Sequence, residues 1–137
     1  MRIERITDID EVLKCIPFEQ EIRNKGRDNI RISKMLLFVK EQLMNPMFGF
    51  WMAYDDDENV AGYAIAIISI VPSMERIHLL RIYAKDKELK KEFERILTDW
   101  AKEYKIKIAQ MTATKHIRAF ERRYKWKVVS VNMERRI

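Results

Sequence analysis

Between Val60 and Val71 the chain reads VAGYAIAIISIV, twelve residues without a single charge. No other segment restricts the fold as much. The run is too short to cross a bilayer, which takes about 20 apolar residues. Its Ile and Val content favours a strand, and apolar side chains at nearly every position require burial on both faces. Upstream lies FGFWMAY, Phe48 to Tyr54, aromatic and β-prone, and between the two stands DDDEN, Asp55 to Asn59, an all-polar turn. The segment is therefore a β-hairpin with a five-residue connection, and its second strand belongs in the middle of a sheet.

The flanking sequence supplies the other layers. Arg2 to Ile6 is a short strand. Thr7 or Asp8 caps a helix with Ile9, Val12, Leu13 and Ile16 on one side, and Pro17 ends it. Glu19 to Asn29 is polar, a loop or a short helix. Ile32, Met35, Leu36, Val39 and Leu43 are the stripe of a second helix stopped by Asn45 and Pro46. After the hairpin, Pro72 and Ser73 turn the chain into a strand over Arg76 to Tyr83. Strict alternation puts Ile77, Leu79, Arg81 and Tyr83 on one of its faces and His78, Leu80 and Ile82 on the other. Lys87 to Lys105 is helical, with Leu89, Phe93, Ile96, Leu97, Trp100 and Tyr104 on its apolar side. Lys107 to Thr112 is a strand, Thr114 caps a short helix carrying Ile117, Phe120 and Tyr124, and Trp126 to Met133 is a last strand.

This order, β α α β β β α β α β, predicts an α/β domain of the α+β type: a mixed, mostly antiparallel central sheet flanked by helices. The late strand–helix–strand unit implies one parallel pair with a right-handed crossover. A parallel pair in such a sheet must splay somewhere, which leaves room for a ligand. Residues 1–137 have the length of one domain.

Composition narrows the chemistry. With Cys15 the only cysteine and two histidines, there is no disulfide and no zinc spacing, so no metal is expected and a reducing compartment is. The opening MRIERITDID has no apolar signal-peptide core, and a cytoplasmic protein without membrane attachment is expected. The formal net charge of +6 suits an acidic or nucleic-acid partner, or simply well-solvated helix faces. The segment Lys115 to Lys127 interleaves basic and aromatic residues. That suits a phosphate-contacting helix, and equally an amphipathic helix with Phe120 and Tyr124 in the core.

Three stretches carry a family likeness. LLRIYAKD (Leu79 to Asp86), ILTDWAKEY (Ile96 to Tyr104) and RAFERRYKWK (Arg118 to Lys127), in this element order, resemble the GNAT N-acetyltransferases over essentially the whole chain. The resemblance implies a GNAT-like acyl-CoA N-acyltransferase fold and transfer of an acetyl group from acetyl-CoA to a small-molecule or protein amine. It places the acetyl-CoA contacts at Ile82, Tyr83 and Ala84, whose backbone would steady the oxyanion, and at Lys85, Lys87 and Lys90. Glu75 and His78 are the base candidates. The family's tyrosine acid aligns with Glu121, and Tyr124, one turn further on, is the catalytic candidate for that role.

The chain departs from the pattern in one place that bears on chemistry. Family members hold the pyrophosphate on an R/Q-x-x-G-x-G/A loop at a helix N-terminus, where glycine lets the backbone approach the phosphates. Here the segment is AKDKELK, Ala84 to Lys90, without glycine. Its lysines can offer charge, but a lysine is a point charge and not a backbone cradle. A second reading follows from this departure: a GNAT-fold binding or structural module that has lost catalysis.

Overall fold

The structure, a computed structural model, describes residues 1–23, 29–111 and 135. The helix capped by Thr114, the strand Trp126 to Met133 and the basic segment Lys115 to Lys127 lie outside these residues.

Five strands form one sheet: β1 (Arg2–Arg5), β2 (Phe48–Tyr54), β3 (Val60–Ser69), β4 (Arg76–Ala84) and β5 (Ala109–Met111). They lie in sequence order, antiparallel from β1 to β4, and β5 runs parallel to β4. The uncharged run is thus the central strand. The hairpin turn is held by Asp55, whose carboxylate accepts the N–H groups of Asp57 and Asn59, each at 2.9 Å. Among the described residues no helix is long and apolar enough to cross a membrane.

The helices are α1 (Ile9–Val12), α2 (Ile16–Arg23), α3 (Asn29–Gln42) and α4 (Lys87–Glu103), with a 3₁₀ turn over Leu13–Cys15 joining α1 to α2. Pro17 does not end a helix as its type suggests. It sits in the first turn of α2, where its missing N–H costs no hydrogen bond.

The two faces of the sheet are built differently. On one, Ala53, Ala61, Ala64 and Ala66 make a shallow floor that receives Phe93, Leu97 and Trp100 of α4. On the other, Phe48, Phe50 and Tyr63 fill the space beneath Val12, Cys15 and Val39 of the N-terminal helices. Large side chains face small ones, as dense packing requires.

One irregularity changes the alternation expected for β4. Ile65 pairs with Arg81 and Ala66 pairs with Leu79, so Leu80 is an extra residue, a β-bulge. Directly paired residues share a face. Ile77, Leu79, Ile82 and Ala84 therefore lie on the α4 side. His78, Arg81 and Tyr83, opposite Ile67, Ile65 and Tyr63, lie on the side of α1–α3. Simple alternation separates His78 from Arg81 and Tyr83; the bulge brings the three into one row.

Candidate functional site

The bulge sets the backbone chemistry of β4. Ile77 donates its N–H to Ile108 O at 3.0 Å, on the β5 side. Lys85 donates to Ala61 O at 3.0 Å, on the β3 side. N–H direction alternates along an antiparallel strand, so Tyr83 also faces β3, while the Ile82 and Ala84 N–H groups face the β5 side. Among the described residues, β5 pairs with β4 only over Ile77–Leu79. Two backbone donors thus stand on the edge of β4 just past its contact with β5.

A hollow of about 420 Å³ opens at the same place, lined by Ile82, Tyr83, Ala84, Lys85, Asp86, Lys87 and Lys90. All six residues expected to contact acetyl-CoA border it. Gly62 makes the close packing beneath it possible. A Cβ there would stand 2.4 Å from the Tyr83 carbonyl oxygen and 2.9 Å from a Leu89 methyl, so β3, β4 and the start of α4 meet without a side chain between them.

Asp86 is the seventh lining residue, and its part is structural. It is the N-cap of α4, its carboxylate accepting the Leu89 N–H at 2.9 Å while its carbonyl accepts the Lys90 N–H at 3.2 Å. A carboxylate already stands where an anion would use the helix dipole. The Lys87 and Glu88 N–H groups remain as donors of the first turn.

The face of α1–α3 carries the titratable groups. His78 is half-buried, and burial together with the Arg76 charge holds its pKa below the ordinary histidine value, so it is neutral near pH 7. Two ladder positions along, about 7 Å away, Arg81 reaches α2. There Glu19 is fully buried. Its Oε1 accepts the Tyr63 hydroxyl at 2.5 Å and lies 2.9 Å from Arg81 Nε, and its Oε2 accepts Arg81 Nη2 at 3.1 Å. Tyr63 stacks on Tyr83 with ring centroids 5.7 Å apart, and Phe18 closes the cluster 5.2 Å from Tyr83. Burial and the adjacent carboxylate push the Tyr63 hydroxyl far above the ordinary tyrosine range. Cys15, buried beneath this cluster, is pushed up to about 12 by burial and then by the Glu19 charge, so it stays a thiol and not a nucleophile.

Glu75 stands apart from these groups. It is exposed and borders a different hollow on the α4 side, beside Lys102 and Lys105. Tyr124 lies outside the described residues. Glu19, Arg81 and Asp86 are the residues that sequence reasoning does not single out. A signal existed for two of them. Val12, Cys15 and Glu19 share the three-and-four spacing of one helix face, and Asp86 immediately precedes a helical pattern.

No protein-family model and no curated relative matches the sequence. Solved structures do match in fold. A protein of Clostridium acetobutylicum described as a predicted acetyltransferase, crystallised with acetyl-CoA, superimposes with a TM-score of 0.76 at 18% identity, over 98% of this chain and 95% of that one. A ribosomal-protein-alanine N-acetyltransferase of Brucella melitensis gives 0.68 at 14% identity, over 100% of both chains. An aminoglycoside 6′-N-acetyltransferase of Acinetobacter baumannii gives 0.70 at 12% identity, over 99% and 98%. The chain has the GNAT fold.

Proposed function

We propose that this protein transfers an acetyl group from acetyl-CoA to an amine. The observation that carries the reading is the Leu80 bulge, which leaves the Ile82 and Ala84 N–H groups facing the β5 side beside a hollow lined by Ile82 to Lys90. Fixed backbone donors at that place suit the carbonyl oxygen of a thioester, whose negative charge grows as an amine attacks. Two of the similar structures are N-acetyltransferases by their own descriptions, and the third was crystallised with acetyl-CoA.

The thioester supplies an activated acetyl group. This chain's residues then have three tasks. The Ile82 N–H holds the carbonyl oxygen, and the Ala84 N–H, about 7 Å along the strand, is left for another acceptor on the cofactor. His78, on the same strand about 10 Å from Ile82, takes the proton that the amine loses as its C–N bond forms, directly or through a water. The proton passes on to the sulfur released when the C–S bond breaks, so free thiol and amide are the products. Lys85, Lys87 and Lys90 meet the phosphates with side-chain charge in place of a glycine cradle.

Asp86 favours a second reading, a GNAT-fold module without catalysis, because its carboxylate opposes a pyrophosphate at the α4 N-terminus. Calorimetric titration with acetyl-CoA separates the two. The enzyme reading expects weak binding at low salt that fades as salt rises, since exposed lysine–phosphate attraction is screened. Losing two charge-assisted hydrogen bonds of the cradle weakens binding by roughly a hundredfold or more. No binding at low salt would leave the module reading.

A further inference from the structure

We propose that Arg81 is a specificity-determining residue that holds a carboxylate on the acceptor, so that the amine acetylated is one that also carries an acid group. The inference rests on the acetyl-transfer reading and names the acceptor class for it.

Arg81 is placed by the bulge. Its side chain leaves β4 on the α1–α3 face, between His78 and Tyr83, and its backbone adjoins Ile82, a donor assigned to the thioester oxygen. Any acceptor presenting its amine between His78 and that oxygen would pass within a side-chain length of the guanidinium.

The guanidinium is fixed and only partly used. Nη2 donates to Glu19 at 3.1 Å, while the buried Nε lies 2.9 Å from the same carboxylate as an ion-pair contact without a hydrogen bond. A guanidinium has five N–H donors. Both N–H groups of Nη1 and the second of Nη2 are left, and nothing among the described residues takes them. The pair is also lopsided in exposure: the Arg81 side chain is 29% exposed and that of Glu19 is 0%. The open side of the pair is therefore arginine. Its torsional freedom has already been spent on Glu19, so a planar oxyanion meeting the free edge loses little further entropy.

A purely structural tie between α2 and β4 is a weak reason for this arrangement. A buried ion pair is often matched or bettered by apolar residues of similar volume. Here the neighbours Phe18 and Ile65 are apolar, and the Tyr63 hydroxyl is the one group that an apolar replacement of Glu19 would leave without its acceptor. Because Arg81 and Glu19 cancel as charges, the attraction for a carboxylate comes from directed N–H groups at short range. The acceptor's KM should consequently depend on salt much less than acetyl-CoA binding does.

The test uses the full chain and matched amines. Ethanolamine, β-alanine and phosphoethanolamine offer the same amine with an alcohol, a carboxylate or a phosphate, and longer sets can be built likewise. Acetylation is followed by thiol release, and binding of each amine by calorimetry. The expected result is a KM for carboxylate members about tenfold or more below that of their alcohols. In Arg81→Lys, which keeps the charge but not the fork, that ratio should fall below about threefold. Circular dichroism melts, with Arg81→Met/Glu19→Gln as the uncharged companion variant, check that the variants fold. Equal KM for carboxylate and alcohol in the natural protein overturns the inference and leaves acetyl transfer standing. Tighter use of the phosphate members overturns the carboxylate assignment. If no amine is acetylated, acetyl transfer fails, and calorimetry decides alone. Carboxylate amines binding the natural protein tenfold tighter than Arg81→Lys sustain the site, and absence of binding overturns it.

Discussion

Asp86 Oδ1 accepts the Leu89 N–H at 2.9 Å across the first turn of α4. The carboxylate stabilises the helix and repels anions with the same charge. The two effects should separate on mutation. Asp86→Ala should cost about 1 kcal/mol of stability, and Asp86→Gly only a few tenths. Both should bind acetyl-CoA more tightly than the natural protein. Denaturant melts and calorimetry on the same samples check this, and tighter binding without loss of stability would remove the capping role.

Glu19 ties α2 to β3 and β4. Glu19→Ala leaves the buried Tyr63 hydroxyl without its acceptor and Arg81 without its carboxylate, at a cost of roughly 3–5 kcal/mol. Tyr63→Phe removes one donor and keeps the Arg81 contact, so roughly 1–3 kcal/mol is expected. Urea midpoints of the two variants should therefore differ in that order. A reversal would mean that the Tyr63 hydroxyl, and not the Glu19–Arg81 pair, holds the cluster, because Phe keeps the ring stacked on Tyr83.

His78 gives the pH dependence a sign. Burial first, and the Arg76 charge second, lower its folded pKa below the value of about 6.5 that an unfolded histidine has. Above that window the imidazole is neutral in both states. As pH falls through about 6.5 the unfolded chain takes up a proton before the folded one does, so stability falls until the folded pKa is passed. The rate kcat/KM should follow a limb that inflects below about 6.5 and is flat above it, and His78→Gln should abolish that limb. An inflection above 6.5 in the natural protein would exclude His78 as its source.

Much of the fold is legible in the residues, and the reasons differ from element to element. A strand buried on both sides must be apolar at successive positions, and VAGYAIAIISIV shows it. Helix α4 shows a clean stripe because one face meets the alanine floor and the other meets water. The parallel pairing of β5 with β4 follows from element order. Leu80 leaves no such trace. It is as apolar as its neighbours, and a two-residue period cannot reveal one residue too many. Glu19 and Arg81 stand 62 positions apart, and their pairing is a property of the assembled sheet that local pattern does not contain. The six residues that the resemblance names lie together beside one hollow because they follow one another from the end of β4 into the first turn of α4.

Gly62 is the tightest point under the site. A methyl at this position meets a backbone carbonyl, which cannot swing aside as a side chain can. Gly62→Ala should cost roughly 1–3 kcal/mol through overpacking. It should also displace Tyr83 and weaken acetyl-CoA binding at temperatures well below the melt. Calorimetry with unchanged affinity would show that the strand adjusts elsewhere.

The bulge has a bearing on how this chain can change by insertion and deletion. Counting along β4 without Leu80, the residues Ile77, His78, Leu79, Arg81, Ile82, Tyr83 and Ala84 alternate between the faces in perfect phase. The sheet's bookkeeping skips Leu80, which is itself 46% exposed. A one-codon deletion there would leave every other side chain of the strand on its present face, where most deletions inside a buried sheet would invert half of it. What would go is the local bend that a bulge puts into a strand, and with it the placing of the Ile82 and Ala84 N–H groups that, among the described residues, stand past the contact with β5. The chain lacking Leu80 should therefore melt close to the natural protein while losing the proposed acetyl-CoA binding, so that thermal melts and calorimetry would part, and loss of function by that route would not register as loss of fold.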